Sequence, residues 1–226
     1  RDIMRIEFRK IEQIADQLAE ALALARRNIE VFSKLNIDAL IINAAGCGAM
    51  MKEYGELFKD DPAYRERAQQ LTAKMKDVAE FLGSIPLVAP TREVRAKVVY
   101  HDACHLAHGQ NVRQQPRELL KAIPGLQISE LNESDWCCGS AGTYNLTEPK
   151  LANRLLERKV NNIIATNAEL VVAGNPGEVD HIGFGDGPRA SEEGVPNLEL
   201  FEVLAERVHG VGGGGGALHP AAGDRG

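Results

Sequence analysis

The sequence repeats one unit, in which a helix is followed by a short apolar strand and a turn of small residues. Residues 27–50 align without a gap with residues 158–181. In both segments an asparagine ends the helix, an acidic residue follows within two positions, and an apolar run leads into a glycine-containing turn. Short, continuous apolar runs between amphipathic helices are typical of parallel strands covered by helices. The repeat therefore predicts an α/β protein with parallel sheets flanked by helices.

The duplication also predicts the domain organisation. We expect two similar Rossmann-like lobes: a partial first repeat at residues 1–90 and a second repeat at 91–209, followed by a flexible glycine-rich tail at 210–226. The first lobe is expected to be incomplete, because Ile6 and Glu7 occupy the position that corresponds to the Cys-Cys pair of the second repeat. Hydrophobic periodicity predicts helices at 3–35, 49–58, 63–82, 116–123, 149–166 (with Thr147 as N-cap) and 197–208, and strands at 39–42, 98–100, 126–131 and 170–172.

Composition narrows the class of function. The chain has 226 residues, of which 44% are hydrophobic and 26% are charged, as in an ordinary globular protein. Its net charge is −6, and an acidic chain without a cluster of Lys and Arg is a poor binder of nucleic acid. No apolar run approaches the roughly 18 residues of a membrane helix, so we expect at most a peripheral membrane association. Four cysteines, two of them adjacent, indicate a reduced, cytoplasmic protein in which cysteines do chemistry.

Three of the four cysteines lie after a predicted strand or at the start of a glycine-rich loop. Cys104 comes shortly after the strand at 98–100, and Cys137 and Cys138 begin a glycine-rich loop. The carboxyl ends of parallel strands converge on one crevice, so we expect these thiols to meet there. Several thiolates in a reducing compartment favour a soft metal or an iron–sulfur cluster. Two vicinal cysteines do not readily chelate one tetrahedral ion, but they can serve different irons of a larger cluster.

Two further parts of the sequence extend this predicted site. Gly139 and Gly142 allow backbone N–H groups to turn toward cluster sulfurs, where hydrogen bonds tune the reduction potential. The loop after the strand at 170–172 carries Glu178 and His181, and it is expected to reach the same edge of the sheet.

Other interpretations of the same residues stay open. Cys104 and His108, four residues apart, form a possible zinc pair if their segment is helical. Cys104 with His105 would make a nucleophile, although no third group is evident to orient the histidine. A free cysteine is also simply a small buried hydrophobe in many proteins. Trp136 is either a lid that shields the site from water or an ordinary core residue.

Four segments carry a resemblance to a known family, namely 43–50, 101–110, 135–144 with its Cys-Cys-Gly, and 174–177. Here the chain resembles the cysteine-rich CCG domain family, and in particular the C-terminal part of glycolate oxidase iron–sulfur subunits. Lactate-utilisation proteins and the CCG-containing subunit of heterodisulfide reductases are more distantly similar. The similarity extends over residues 22–208 and is most specific around 101–145.

The resemblance implies a redox role. Family members hold iron–sulfur clusters and pass electrons from an FAD-containing subunit that oxidises glycolate or a similar 2-hydroxy acid. In heterodisulfide reductases the CCG cysteines ligate a [4Fe–4S] cluster. The implied function is thus an iron–sulfur electron-transfer module with no catalytic residue of its own.

The family pattern also implies the ligands. Glu178 stands where the family has a cysteine, and histidine ligation occurs in other iron–sulfur centres. The metal ligands implied for this chain are Cys104, Cys137, Cys138, Cys47 as the late cysteine of the first repeat, and Glu178 or His181 in place of the fourth thiolate. Since the first-repeat Cys-Cys-Gly has no counterpart, two alternatives remain: a vestigial scaffold that docks the partner without a cluster, and a zinc-binding domain.

Overall fold

Two parallel sheets organise the computed structural model, which describes residues 8–88, 90–141, 144–184 and 197–199. The strands are β1 Leu40–Ile42, β2 Met75–Asp77, β3 Ala96–His101, β4 Leu126–Ser129, β5 Leu170–Ala173 and β6 Asn197–Glu199. β1 pairs with β2, and the larger sheet has the strand order β4-β3-β5-β6, with every pairing parallel.

Helices alternate with these strands along the chain. They are α1 Phe8–Phe32, α2 Ala45–Lys52, α3 Tyr54–Leu57, α4 Arg65–Lys74, α5 Val78–Gly83, α6 Gln114–Lys121, α7 Tyr144–Thr147, α8 Pro149–Ala165 and α9 Pro176–Phe184. A π-helical turn, His105–Gly109, follows β3. The predicted α/β class with parallel sheets flanked by helices is confirmed.

The core of the larger sheet is built around β3, which lies between β4 and β5. Val98 and Val99 are fully buried, and successive strand residues point to opposite faces. Val99 packs with Leu156 and Ile163 of α8, and Val98 packs with Leu120 of α6. Each such buried side chain contributes about 1.5–3 kcal/mol, so β3 is held from both faces and its carboxyl end is a rigid platform.

The smaller sheet packs against α1 and α4. Ala25 and Ile29 on one stripe of α1 are buried against Leu71 of α4 and Met75 of β2. The apolar residues whose spacing predicts this helix therefore form the face that it buries.

The predicted helix at 63–82 is wrong at its centre, where Met75–Asp77 forms β2. Asp77 accepts a hydrogen bond from the N–H of Ala79 at 2.8 Å, and the side chain of Glu80 accepts one from the N–H of Asp77 at 3.3 Å. This reciprocal capping box starts α5 and separates it from α4. Met75–Asp77 is a strand because it pairs with β1, which is distant in sequence. The helical pattern of the residues on either side therefore gave no local signal for this strand.

Three further predictions differ from the structure. The N-cap of α8 is Glu148 and not Thr147, which belongs to α7. Residues 197–199, predicted as the start of the last helix, form β6, because they pair with β5. The segment after β5 continues into α9, which the sequence did not predict. The rest of that predicted last helix and the glycine-rich tail lie outside the described residues, and the lobe boundaries stay a prediction.

Candidate metal centre

Three loops meet at the carboxyl edge of the four-stranded sheet. Cys104 lies just beyond β3, the loop 130–141 follows β4, and Glu178 lies in the first turn of α9 after β5. Because β3 lies between β4 and β5, the carboxyl ends of these strands bring the three segments together. The structure thus gathers Cys104, Cys137, Cys138 and Glu178 at one place.

The three cysteines are linked through the sulfur of Cys137. It lies within hydrogen-bonding reach of the thiols of Cys104 and Cys138, and it accepts a hydrogen bond from the backbone N–H of Gly139 at 3.3 Å. These hydrogen bonds lower the pKa of Cys137 well below that of an ordinary thiol. Donation to Cys137, together with burial, raises the pKa values of Cys104 and Cys138. Cys137 is therefore the most acidic of the three thiols.

A buried carboxylate and a buried histidine flank Cys104. Oε1 of Glu178, a residue that is 2% exposed, accepts from the Cys104 thiol at 3.6 Å. Its Oε2 lies 3.4 Å from Nε2 of His101, which is fully buried. Nδ1 of His101 lies 3.0 Å from the carbonyl oxygen of Ser134. A carbonyl oxygen only accepts, so this contact assigns a proton to Nδ1 and leaves Nε2 to face Glu178.

His105 adds a nitrogen donor to the same place. Its Nδ1 lies 3.6 Å from Sγ of Cys104. The donor atoms of Cys104, His105 and Glu178 all lie within 4.8 Å of one another. Sulfur, nitrogen and oxygen donors are thus within reach of one small ion.

The carbonyl oxygen of Ser134 ties the cysteine loop to the end of β3. It accepts from His101 Nδ1, from the N–H of Asp102 at 3.2 Å and from the ammonium of Lys159 at 3.3 Å. Lys159 comes from α8 and is 2% exposed. Burial lowers the pKa of Lys159, and the nearby Cys138 acts in the opposite direction. This side chain both anchors the loop and brings a positive charge to the thiol cluster.

Gly139 shapes the turn after the two cysteines. Its φ is +98°, a left-handed conformation that costs other residues energy. A Cβ added here would lie 2.4 Å from the carbonyl oxygen of Ala152 in α8. The absence of a side chain therefore lets the loop approach α8 while the Gly139 N–H reaches Cys137.

An ion pair fixes the backbone between β3 and Cys104. The guanidinium of Arg117 on α6 donates two hydrogen bonds of 2.6 Å to the carboxylate of Asp102. Burial raises the pKa of Asp102, but the hydrogen bonds from Arg117 and Ser134, together with the positive charge of Arg117, lower it by more and hold that pKa below its ordinary value. The guanidinium also lies over the ring of Tyr100, 5.1 Å from its centre. Such a bidentate pair orients the segment that carries Cys104.

Among the remaining predicted residues, Cys47 and His181 are not in the donor group that the described residues form. Cys47 is exposed on α2. His181 lies one turn beyond Glu178 on α9 and is 7% exposed. Gly142 lies outside the described residues. The ligand roles themselves stay predictions.

The structure shows other contacts for two side chains named in the sequence alternatives, His108 and Trp136. Nε2 of His108 lies 3.1 Å from the carbonyl oxygen of Asp135, and its Nδ1 accepts from Arg113 at 2.9 Å, so both ring nitrogens are engaged away from Cys104. Trp136 is 51% exposed and stacks on the guanidinium of Arg158 at 4.5 Å, so it is not a core residue.

Sequence reasoning missed the second layer of the site. Lys159 could have been noticed, because it interrupts the apolar face of α8 between Leu156 and Ile163, where a charged residue is unusual. The pair of Asp102 and Arg117 left no comparable pattern, since its partners belong to different elements.

The donor set fits a thiophilic metal group. Thiolate, imidazole and carboxylate are the ligands that zinc and iron–sulfur centres take. Ionising all three thiols beside Glu178 would gather negative charge in a buried place, which a metal centre compensates. The N–H of Gly139 already points at a sulfur, as ligand thiolates require.

Comparison with known proteins gives a consistent match. The profile of the CCG cysteine-rich domain matches residues 10–52 and 98–177. A probable glycolate oxidase iron–sulfur subunit of Bacillus subtilis is 42% identical over 188 residues, which cover 81% of this chain and 42% of that protein. The glycolate oxidase iron–sulfur subunit of Escherichia coli is 34% identical over 166 residues, covering 72% of this chain and 40% of that protein. Lactate utilization protein A of Halalkalibacterium halodurans is 32% identical over 184 residues, which cover 80% of this chain and 73% of that protein.

The matched length differs between these relatives. The chain spans less than half the length of the two glycolate oxidase subunits that it matches. In the part of the chain that the structure describes, no helix has both the length and the apolar character needed to cross a bilayer.

Proposed function

Because the chain belongs to the family of cysteine-rich CCG domains, we propose that it is the iron–sulfur electron-transfer module of an oxidoreductase complex of the glycolate oxidase type. The substrate class of that complex is a small 2-hydroxy acid. The names of the similar proteins, glycolate oxidase iron–sulfur subunit and lactate utilization protein, support this class.

The convergence of three cysteines carries the proposal. Cys104, Cys137 and Cys138 come from two loops and share hydrogen bonds at one sheet edge. The carboxylate of Glu178, which accepts a hydrogen bond from the Cys104 thiol, would supply an oxygen ligand at the position where the family has a cysteine. A [4Fe–4S] cluster with three thiolates and one carboxylate or imidazole ligand is the group that these residues would hold.

The chain's own residues would set the environment of that group, which when bound supplies one-electron transfer. The N–H of Gly139 donates to the sulfur of Cys137, and such hydrogen bonds stabilise negative charge on sulfur. The ammonium of Lys159 adds positive charge near Cys138. Cys138 is 1% exposed, so its sulfur is shielded from water. Both the N–H and the ammonium favour the more reduced, more negative state of the site.

The electron donor in this proposal is an FAD-containing subunit that oxidises the 2-hydroxy acid. No described residue offers a hydride acceptor, and the thiol site would receive single electrons from the flavin. The complex is expected in the cytoplasm, in keeping with the four free cysteines.

The direct test is reconstitution with iron and sulfide under anaerobic conditions. The proposal expects broad visible absorbance, bound iron and sulfide, and an electron paramagnetic resonance signal in one redox state. Cys137→Ser should lose most of the bound iron. Cys47→Ser is the matched control, because Cys47 is an exposed thiol outside the donor group, and it should keep the iron content of the unsubstituted protein.

Folding must be separated from ligation in this comparison. Circular dichroism and melting temperature of each variant before reconstitution show whether its fold is intact. A colourless, iron-free product from a folded, unsubstituted chain would refute the proposal.

A further inference from the structure

Three different donor atoms form a compact group on one side of the thiol cluster. Sγ of Cys104 lies 3.6 Å from Nδ1 of His105 and 3.6 Å from Oε1 of Glu178. All three atoms lie within 4.8 Å of one another. In this group Cys104 is half-buried and Glu178 is buried.

Two of these separations, those from Sγ of Cys104, match the edges of a tetrahedral zinc site. Zinc binds sulfur at about 2.3 Å and nitrogen or oxygen at about 2.0–2.2 Å. With tetrahedral angles, a sulfur ligand then lies about 3.5–3.6 Å from a nitrogen or oxygen ligand of the same ion. Both contacts of Cys104 have this length, so an ion could be bound with little movement of the sulfur.

We propose that the protein, when it holds no cluster, binds a single divalent cation of the zinc type through Cys104, His105 and Glu178. The fourth coordination position is left to water or an external ligand. This is a site with one thiolate, unlike the three-thiolate zinc site that the cysteine pattern alone suggests.

The atoms behind Glu178 support the assignment. A metal-binding carboxylate or imidazole is usually oriented by an outer hydrogen-bonding partner. Oε2 of Glu178 lies 3.4 Å from Nε2 of His101, and Nδ1 of His101 lies 3.0 Å from the Ser134 carbonyl oxygen. Neither Oε2 of Glu178 nor Nε2 of His101 has another hydrogen-bond partner among the described residues, and a proton shared between these two buried atoms would hold the carboxylate with Oε1 toward Cys104.

The position of the donors in the fold also suits a preorganised site. Cys104 is the N-cap of the π-helical turn that follows β3, His105 is the first residue of that turn, and Glu178 lies in the first turn of α9. The π-helical turn makes its backbone hydrogen bonds within residues 103–112, and the cysteine loop reaches the backbone of α9 through one side-chain hydrogen bond, from Ser140 to the carbonyl oxygen of Gly177. The cation could therefore bind without Cys137 or Cys138 as a ligand.

The inference stands independently of the proposed electron-transfer role. Cys104 belongs to both ligand sets, so bound cation and bound cluster exclude each other. A chain that binds the cation but never a cluster would keep this inference and lose the proposed function. A chain that takes a cluster but no cation would do the reverse.

Co²⁺ is the probe, because tetrahedral Co²⁺ with a thiolate ligand has visible ligand-field bands and a charge-transfer band in the near ultraviolet. Anaerobic, cluster-free full-length chain is titrated with Co²⁺ and then with competing Zn²⁺. We expect one equivalent to bind, with charge-transfer intensity for one thiolate. His105→Ala and Glu178→Gln should each weaken binding by at least the roughly 10- to 100-fold that loss of an outer partner costs.

Two controls belong to this experiment. His108→Ala removes a neighbouring histidine of the same turn, whose nitrogens contact Asp135 and Arg113, and should leave Co²⁺ affinity unchanged. Cys47→Ser removes an exposed thiol outside the donor group of the described residues, and it should leave both the affinity and the charge-transfer intensity unchanged. His105 is only partly buried, so its variant is expected to fold, and circular dichroism verifies this. The inference is overturned if folded His105→Ala binds Co²⁺ as tightly as the unsubstituted chain, or if Cys104→Ala keeps the charge-transfer band.

Discussion

Replacing Gly139 by alanine tests how the cysteine loop is held. Gly139 has a φ of +98°, where a residue with a Cβ loses about 1–2 kcal/mol. The new Cβ would also lie 2.4 Å from the carbonyl oxygen of Ala152, and backbone in α8 cannot move aside cheaply. Overpacking of this kind costs about 1–3 kcal/mol. Together the two effects predict a loss of about 3 kcal/mol in the free energy of unfolding.

The assay is thermal unfolding followed by circular dichroism. For a chain of this size 1 kcal/mol corresponds to about 2–4 °C, so Gly139→Ala should lower the melting temperature by about 6–12 °C. The substitution also displaces the N–H that donates to Cys137. Cys137 should therefore lose thiolate character, which is measured as slower alkylation near neutral pH in the same variant.

Gly177→Ala is the matched control. A Cβ at Gly177 meets no atom within 4 Å, and this glycine lies in the first turn of α9. Alanine there should leave the melting temperature unchanged or raise it slightly, since a helical glycine costs about 0.5–1 kcal/mol relative to alanine. If Gly139→Ala melts at the same temperature as Gly177→Ala, the account of this turn is wrong.

Two other predictions concern buried carboxylates. Burial raises the pKa of Asp77 from 3.8 to about 6. The folded state therefore binds this proton more tightly than the unfolded state does. The stability that results is fully present below pH 3.8 and is lost as the pH rises through about 6. Urea unfolding should show that the free energy of unfolding of the unsubstituted chain falls by about 3 kcal/mol across this interval, relative to that of Asp77→Asn. Parallel curves of unfolding free energy against pH for the two proteins would contradict this. Arg117→Met should cost about 3–5 kcal/mol at pH 7, because it leaves the Asp102 carboxylate buried and unpaired. Asp102→Asn in the same chain should restore most of that loss, and a single-variant cost under about 1 kcal/mol would show that water replaces the guanidinium.

The fold could be predicted largely from local patterns. The apolar runs that became β1, β3 and β5 are each long enough to be recognised, and α1 and α8 show clear helical periodicity. β2 could not be predicted, because Met75–Asp77 has the residue types of the helix before it and becomes a strand only through pairing with β1. α9 escaped prediction because its start, Asn-Pro-Gly, is equally typical of a loop.

Some residues of the candidate site could likewise be predicted from local sequence patterns, and others could not. Cys104, Cys137 and Cys138 are conspicuous in the sequence, since adjacent cysteines before a glycine and a cysteine after a strand are local patterns. The pattern also led to Cys47, which the structure leaves exposed on α2 and outside the donor group of the described residues.

By itself, the sequence determined which thiols are available and that helix-linked parallel strands would carry them, because periodicity and neighbouring residues encode both properties. Only the tertiary structure decided which atoms surround the thiols. His105 as a nitrogen donor, the contact between Glu178 and His101, and the buried ammonium of Lys159 all depend on how the carboxyl ends of β3, β4 and β5 lie together. The physical reason is distance along the chain: Glu178 is 74 residues from Cys104. No local pattern specifies such a contact, which arises when the sheet forms.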